Sequence, residues 1–243
     1  MEATTMFWRK FKLDWSYAIG ELIIVTVGVL IALGINQWQQ DQGDRALELQ
    51  YANRLKADLQ MDIHEFKNFE ASALSGKTRV LKALAKVDGT QTSFDHSVFN
   101  AENLNYSTFN ALPRSQSATF NELQSTGNLN LLQNPAIRMA IDRYYDSYEL
   151  MSGILFESLG SYSEILVGAM SGAAFLDWRV NEIELSETEI DEGLYNLISH
   201  PDFRVAVNSE LNYTSELIYY LRDTRLRGEA LLSELEEEYP TPD

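Results

Sequence analysis

The stretch "YAIGELIIVTVGVLIALGINQW" (residues 17–38) is predominantly apolar and contains one charged residue, Glu21. Counted from Trp15 to Trp38, the segment would form a helix of about 36 Å, because an α-helix rises about 1.5 Å per residue. The hydrocarbon core of a bilayer is about 30 Å thick. Length and composition therefore predict a transmembrane helix over residues 15–38.

Aromatic side chains mark both ends of this segment. Trp15 and Tyr17 stand at its start and Trp38 at its end. An indole or phenol ring combines an apolar body with a polar tip, and such rings collect where lipid tails meet water. We therefore predict that Trp15, Tyr17 and Trp38 form the interface belt of the span.

A cleaved signal peptide is the alternative interpretation of the same segment. Ala32 and Gly34 would supply the small residues of a cleavage site. A carboxylate inside the apolar region of a signal peptide is unusual, however, and the helical pattern continues past the supposed cut. The sequence therefore favours an anchor that is retained.

The flanking charges predict the orientation of the span. Arg9, Lys10 and Lys12 precede it, whereas the residues that follow Trp38 are mostly acidic. Cytoplasmic flanks of spans are enriched in Lys and Arg, so the N-terminus is predicted to be cytoplasmic and residues 39–243 extracytoplasmic. The flank "MFWRKFK" (residues 6–12) either lies in an anionic headgroup layer or is an ordinary stop-transfer flank.

Charge and cysteine content exclude several classes of protein. The chain has a net charge of −17 and no cysteine. The first 38 residues carry as many basic as acidic side chains, so the whole negative charge belongs to the rest of the chain. A field of this sign repels nucleic acid, and the lack of cysteine excludes disulfides, zinc–thiolate sites and thiol catalysis.

Helical periodicity continues beyond the span. Apolar residues recur at helical spacing from Leu47 to Leu84, and no proline intervenes. The following residues, 89–117, are rich in Asn, Ser and Thr and predict a polar loop region with space for one short helix. The predicted organisation is a cytoplasmic flank (1–14), a transmembrane helix (15–38), a membrane-proximal long helix (39–88), the polar loop region (89–117) and a helical bundle (118–243) that packs with residues 39–88.

Start and stop signals divide the last region into helices. A Ser or Thr ahead of Glu122 predicts a capping box, and Gly127 predicts a helix end. Asn134 and Pro135 predict the start of the next helix, and further helices are expected to begin at Ser186 and near Pro201. The predicted fold class is all-α: an anchor helix that continues into a long helix and an extracytoplasmic helical bundle.

The residues of the span also carry a resemblance to a known family. Tyr17-Ala18-Ile19-Gly20-Glu21, then Leu30-Ile31-Ala32-Leu33, and Ile35-Asn36 followed by Trp38, resemble the N-terminal signature of an uncharacterised family of bacterial single-span membrane proteins. Family members tend to read "INNWNE" where this chain reads "INQWQQ". The resemblance implies an anchor in the bacterial inner membrane and a helical periplasmic domain. It implies no activity.

The sequence contains none of the common catalytic, metal-binding or phosphate-binding motifs, and no catalytic residue, metal ligand or cofactor is predicted. His64, His96 and His200 lack the Glu and His neighbours of di-iron and zinc helices. The segment "DIHE" (residues 62–65) is interpreted as a solvated helix face, and His200 as a turn residue. Several tyrosines either line a ligand pocket or, as the sequence favours, pack between helices: Tyr144, Tyr145, Tyr148, Tyr213, Tyr219 and Tyr220.

Glu21 admits three interpretations. Its carboxylate reaches towards headgroups, water or Lys12; it lies in a seam between two helices; or it belongs to a proton or ion path. The seam is suggested by a stripe with spacings of 4, 3, 4 and 3 residues, in which Gly28 and Ala32 form the small-residue pattern that lets helices approach closely. The seam stripe is Glu21, Val25, Gly28, Ala32 and Ile35.

Two function classes follow from these observations. The first is a membrane-anchored scaffold or interaction protein, without catalysis, that forms a homo-oligomer or serves as an accessory subunit of another membrane protein. Its partners are membrane lipid and protein, not nucleic acid. The second is an extracytoplasmic ligand-binding or sensory helical module. The short cytoplasmic flank favours the first class, because it leaves little room for an output domain.

Overall fold

Every regular element that the structure describes is a helix. The computed structural model describes residues 15–89, 93–108, 112–157, 161–170 and 185–240, with only the backbone of residues 15–18, 154–157 and 161. The predicted all-α class is thereby confirmed. The α-helices are α1 (Trp15–Phe69), α2 (Ser75–Leu84), α3 (Ala101–Thr108), α4 (Ala118–Thr126), α5 (Pro135–Glu157), α6 (Ser161–Ala169), α7 (Glu187–Ser199) and α8 (Phe203–Glu238).

Helix α1 joins the apolar segment to the residues that follow it. It runs without interruption from Trp15 to Phe69, and no proline in this range would break its hydrogen bonds. It then passes into a π-helical segment, Glu70–Leu74, in which the N–H of Ser75 donates to the carbonyl of Glu70 five residues earlier. The helix predicted to reach residue 88 therefore changes its hydrogen-bonding pattern at residue 70, and α2 ends at Leu84.

The chain divides into two compact units, Met1–Gln50 and Tyr51–Asp243. In the first unit, every side chain from residue 21 to residue 47 is exposed. In the second unit, α1 buries Tyr51, Leu55 and Leu59. The boundary between units thus lies close to the place where burial of α1 begins, which is Glu48, and twelve residues after the predicted end of the span at Trp38.

Three apolar clusters hold the second unit together. The first joins α2, α3, α6, α7 and the start of α8. The second joins the Tyr51–Leu59 part of α1 with α4, α5 and the end of α8. The third lies on the middle of α8 and consists of Phe66, Leu74, Met151, Leu217 and Leu221. The bundle of residues 118–243 was predicted to pack with residues 39–88; the clusters contain residues from 51 to 87 of that range, and residues 39–47 are exposed.

Helix α8 contributes to all three clusters. Phe203 belongs to the first, Leu217 to the third and Leu231 to the second. Its buried positions recur every three or four residues, which places them on one face of a helix. Burial of that single face along 36 residues explains why the predicted long C-terminal helix forms.

Most of the predicted helix boundaries are confirmed. Gly127 ends α4 with φ of 73°, a left-handed conformation that favours glycine. The Oδ1 of Asn134 accepts from the N–H of Ala136 at 2.9 Å, and Pro135 begins α5. Ser186 and Glu189 form a reciprocal capping box at the start of α7.

The capping box predicted around Glu122 is wrong. Helix α4 begins at Ala118, and its N-cap, Ser117, makes no side-chain capping bond. The carboxylate of Glu122 instead accepts from the Tyr51 hydroxyl at 2.9 Å and from Arg54 Nη2 at 2.7 Å. A charged partner on another helix takes the place of the local backbone donor, and sequence spacing does not reveal a partner so distant along the chain.

Candidate functional site

The apolar segment of α1 is the first candidate site. It contains an eighteen-residue window with a mean hydropathy of 2.2, and no part of that window is buried. Its large side chains point outward all round the helix; Ile24, for example, is 75% exposed. By length and composition this helix can cross a membrane.

The predicted seam stripe lies on this segment. The helix is continuous there, and Glu21, Val25, Ala32 and Ile35 are all exposed. A Cβ atom built on Gly28 would meet no atom within 4 Å. The five seam residues therefore lie on a single helix face, and that face is open to a partner. That a second helix packs on it stays a prediction.

The belt and flank residues are described only in part. Trp38 is 64% exposed at the end of the apolar segment. The backbone of Trp15 and Tyr17 is helical, but their side chains lie outside the described ones. The cytoplasmic flank with Arg9, Lys10 and Lys12 lies outside the described residues.

Thr26 interrupts the apolar segment without leaving a free hydroxyl. Its Oγ1 donates to the carbonyl of Leu22 at 2.7 Å. Because the acceptor is a carbonyl of the same helix, the hydroxyl group needs no water molecule as its partner. Glu21 is the charged residue of the segment, and an ionisable group among apolar residues calls for a partner outside its own helix.

A second polar site is built on Asp62, in the second unit. Its side chain is fully buried, and it accepts three hydrogen bonds: from Ser115 Oγ at 2.6 Å, from the N–H of Gln116 at 2.7 Å and from the Tyr144 hydroxyl at 2.7 Å. Burial raises the pKa of Asp62, and the three donors oppose that rise. The carboxylate thus ties the segment before α4 and helix α5 to α1.

The interpretation of residues 62–65 as a solvated face is wrong for Asp62 and right for His64 and Glu65. His64 and Glu65 are exposed, and His64 Nε2 lies 2.9 Å from Asn68 Nδ2. Asp62 follows Leu55 and Leu59 at the same helical spacing and lies on their buried face. That register was visible in the sequence, and it is the signal that the sequence interpretation missed.

A buried ion pair joins α2 to α8. Lys77 Nζ lies 2.5 Å from Glu210 Oε1, and their side chains are 1% and 3% exposed. The Tyr213 ring centroid lies 5.8 Å from Lys77 Nζ. Burial lowers the pKa of Lys77, while Glu210 opposes that shift. Buried charge pairs hold two elements in register, because any slip leaves a charge unpaired.

The six tyrosines considered as pocket or core residues have different positions. Tyr144, Tyr145 and Tyr213 are buried. The Tyr145 ring stacks on Phe120 with centroids 4.1 Å apart, which confirms core packing for this residue. Tyr148 is partly buried against Phe66. The predicted core position is wrong for Tyr219, which is 66% exposed and meets the ring of Tyr220 edge-on.

The remaining histidines have structural partners. His96 Nε2 lies 2.8 Å from Asp191 Oδ1, and this hydrogen bond is the main reason why the pKa of His96 is raised. His200 Nδ1 accepts from the N–H of Asp202 at 3.2 Å, which confirms its turn role. Within the described ranges, no three His, Cys, Asp or Glu side chains are grouped so as to hold a metal ion.

Comparisons of the chain with protein-family models, with curated proteins and with solved structures found no match. The resemblance of residues 17–38 to the single-span family therefore stays a prediction.

Proposed function

We propose that this is a single-pass membrane protein whose apolar helix segment anchors a non-catalytic helical scaffold or interaction domain. The observation that carries the proposal is the outward exposure of the apolar side chains in residues 21–38. A helix that is apolar all round belongs either in a protein core or in lipid. Because no part of the apolar window is buried, lipid is the environment that fits.

The energetic argument is direct. Moving one large aliphatic side chain out of water is worth about 1.5–3 kcal/mol. Leu22, Ile24 and Leu30 are each more than half exposed, and their neighbours along the segment are similar. Insertion into a bilayer removes all of these side chains from water at once.

The seam stripe supports assembly with a second copy of the same helix. Gly28 and Ala32 allow two backbones to approach closely, and the carboxyl group of Glu21 would find a hydrogen-bond partner in the interface. A homo-oligomer needs no further chain, since the same stripe serves both sides of a twofold contact. An accessory role beside another membrane protein would use the same face.

The proposed location is the bacterial inner membrane, with the N-terminus cytoplasmic and the second unit periplasmic. The cations Arg9, Lys10 and Lys12 support this orientation, as does the resemblance of the span to the single-span family. The test is proteolysis of spheroplasts that contain the full chain. We expect added protease to digest residues 39–243, and protection of those residues in sealed spheroplasts would reverse the orientation.

The assembly proposal is tested by Gly28→Leu. A bulky side chain at the seam should separate the helices and convert oligomers to monomers in native mass measurements from mild detergent. Gly34→Leu is the matched control, because Gly34 lies on another face of the same segment and a Cβ there also meets no atom within 4 Å. If both variants keep the parent mass, the stripe is not an interface.

Glu21 provides an independent test of the seam. Glu21→Gln should keep the oligomer, because an amide retains hydrogen-bonding capacity. Glu21→Leu should weaken it by about 1–2 kcal/mol, because the partner group loses its hydrogen bond in the membrane. Equal oligomer stability in the parent and both variants would show that the carboxyl group reaches headgroups or water instead.

A further inference from the structure

An open groove of about 880 Å³ lies in the second unit between the end of α1, the π-helical segment, α2 and α8. Five cationic side chains line it: Lys67, Arg79, Lys82, Arg222 and Arg225. We call this feature the basic groove. It takes no part in the anchoring or the seam proposed above.

The charge of the basic groove is opposite to that of the protein. Five of the nineteen Lys and Arg residues of the chain line it, against one of the thirty-six Asp and Glu residues, Glu70. Bringing like charges together costs free energy, and the cost falls when an anion binds among them. In a chain with a net charge of −17, such a concentration of cations calls for a specific reason.

Carboxylates of the protein neutralise only part of this charge. Glu70 pairs with Arg222 at 2.5 Å, and Glu229 pairs with both Lys67 at 2.8 Å and Arg225 at 2.9 Å. Two carboxylates therefore serve three of the five cations. Arg79 and Lys82 are exposed, and neither has a carboxylate within ion-pair distance in the described part of the chain.

Two donors at the basic groove are buried without an acceptor among the described residues. They are Thr78 Oγ1 and Arg225 Nε, and both residues line the groove. A buried donor that lacks an acceptor raises the free energy of the folded state. Both donor atoms are closed to solvent, so a ligand reaches them only after side chains that line the groove move, whereas the cations Arg79 and Lys82 are exposed and open to it directly.

The remaining lining fits a small molecule rather than a single ion. Ser75 and Ser215 add hydroxyl groups, and Ala71 and Ile218 add apolar surface. The groove volume falls within the range of sites that hold small organic ligands, roughly 300–1,000 Å³. The π-helical segment forms one wall, and such segments occur frequently at functional sites.

We propose that the basic groove binds a small phosphate-bearing molecule, such as a phosphate ester or a pyrophosphate. Guanidinium groups match phosphate oxygens through paired N–H donors, and Lys adds a mobile point charge. Arg79 and Lys82 hold the phosphate in this arrangement. A long polyanion is disfavoured, because the negative field of the rest of the protein repels it.

The test uses the full chain in nanodiscs of phosphatidylcholine, titrated calorimetrically with inorganic pyrophosphate. We expect saturable binding that weakens as salt is raised, since ions screen the exposed cations. The double variant Arg79→Gln, Lys82→Gln should bind about tenfold more weakly or worse, because two charge-assisted contacts are lost.

The matched control is the double variant Lys86→Gln, Arg227→Gln. It removes two exposed cations that do not line the groove and changes the net charge equally. We expect its affinity for pyrophosphate to equal that of the parent, with circular dichroism showing that both variants are folded. Absence of binding to the parent protein, or equal weakening in the two variants, would overturn the proposal.

A second arm separates the two sources of phosphate. The titration is repeated in nanodiscs that contain phosphatidic acid, whose headgroup is a phosphate monoester. Unchanged pyrophosphate affinity assigns the basic groove to a soluble ligand, whereas competition assigns it to a lipid headgroup. Either result supports a phosphate site, provided that the double variant Arg79→Gln, Lys82→Gln weakens binding. A soluble ligand would also favour the second function class, a ligand-binding module.

Discussion

Helix α1 exposes its large apolar side chains along residues 19–38 and buries most of them along residues 51–66. The first stretch is apolar on all faces from Leu22 to Ile35, with Thr26 as its one polar residue, whereas the second has an apolar stripe on one face and polar residues on the others. A helix that is apolar on every face requires lipid or a deep core, but one apolar stripe requires only a neighbouring helix. One continuous helix can therefore meet two different environments, according to its pattern of side chains.

One carboxylate from each stretch, Asp62 and Glu21, shows the same difference in burial. Asp62 is buried, with three donors supplied by its own chain, whereas Glu21 is exposed. A buried carboxylate is tolerated when its hydrogen bonds replace water. For Asp62 the second unit provides that replacement, and for Glu21 we propose that another copy of the chain does.

The largest expected effect comes from truncating the same residue type in both stretches. Leu55→Ala should lower the free energy of unfolding of the second unit by about 2–5 kcal/mol, because it leaves a cavity at a fully buried position. Leu30→Ala should leave it unchanged, because Leu30 is 62% exposed. Urea unfolding of the full chain in detergent, followed by near-ultraviolet circular dichroism of the tyrosines, measures both. Equal losses would mean that the two stretches share one environment.

Substitutions of Asp62 and Glu21 should give the second-largest difference in the free energy of unfolding. Asp62→Ala removes the common acceptor of Ser115, Gln116 and Tyr144, so unfolding should become easier by about 2–3 kcal/mol as buried donors lose their partner. Asp62→Asn should recover part of this loss, and Glu21→Ala should not alter unfolding of the second unit. If Asp62→Ala leaves the free energy of unfolding unchanged, these three hydrogen bonds do not stabilise the second unit.

Two glycines provide a test of close packing. An alanine Cβ at Gly228 would lie 2.9 Å from Tyr144 Cε2, so Gly228→Ala should cost about 1–3 kcal/mol as the ring is displaced from its place beside Asp62. Gly28→Ala meets open space in the chain and should leave unfolding of the second unit unchanged. The same urea measurements apply, and a stable Gly228→Ala variant would show that the Tyr144 ring can move freely.

The smallest effect is a pH dependence that belongs to Asp62. Its pKa is raised in the folded protein above the ordinary value of 3.8, so the folded state holds this proton more tightly than the unfolded state. The resulting stabilisation is present below pH 3.8 and is lost as pH rises through the folded pKa. The stability of the parent relative to Asp62→Asn should therefore fall as pH rises through that window.

That difference is obtained from urea unfolding of both proteins at each pH. Comparison with Asp62→Asn cancels the titration of the other carboxylates, apart from the influence of nearby Asp58 on Asp62. A difference that stays constant with pH would show that Asp62 has the same pKa in the folded and unfolded states.

Local sequence signals were sufficient to predict where several helices begin and end. Gly127, Asn134, Pro135 and Ser186 act at the positions where the sequence predicted helix ends and starts, because each acts on its own backbone within a few residues. Glu122 shows where such reasoning fails. Its spacing fits a capping box, but its carboxylate binds Tyr51 and Arg54 on another helix.

The candidate sites also differ in whether a local sequence pattern predicts them. The apolar segment and its stripe were found from composition and periodicity, since both are properties of one helix. The basic groove was not predicted, because its cations come from two regions separated by more than a hundred residues, Lys67–Lys82 and Arg222–Arg225. No local pattern joins those regions.

The amino-acid sequence by itself determined the all-α class, the long apolar helix and most helix boundaries. These features depend on side-chain pattern and on interactions between residues a few positions apart. Only the tertiary structure decided that Asp62 is buried, that Lys77 pairs with Glu210, and that five cations line one groove. The physical reason is that burial and pairing of charges depend on which helices meet, and helix contact is decided by packing of distant segments.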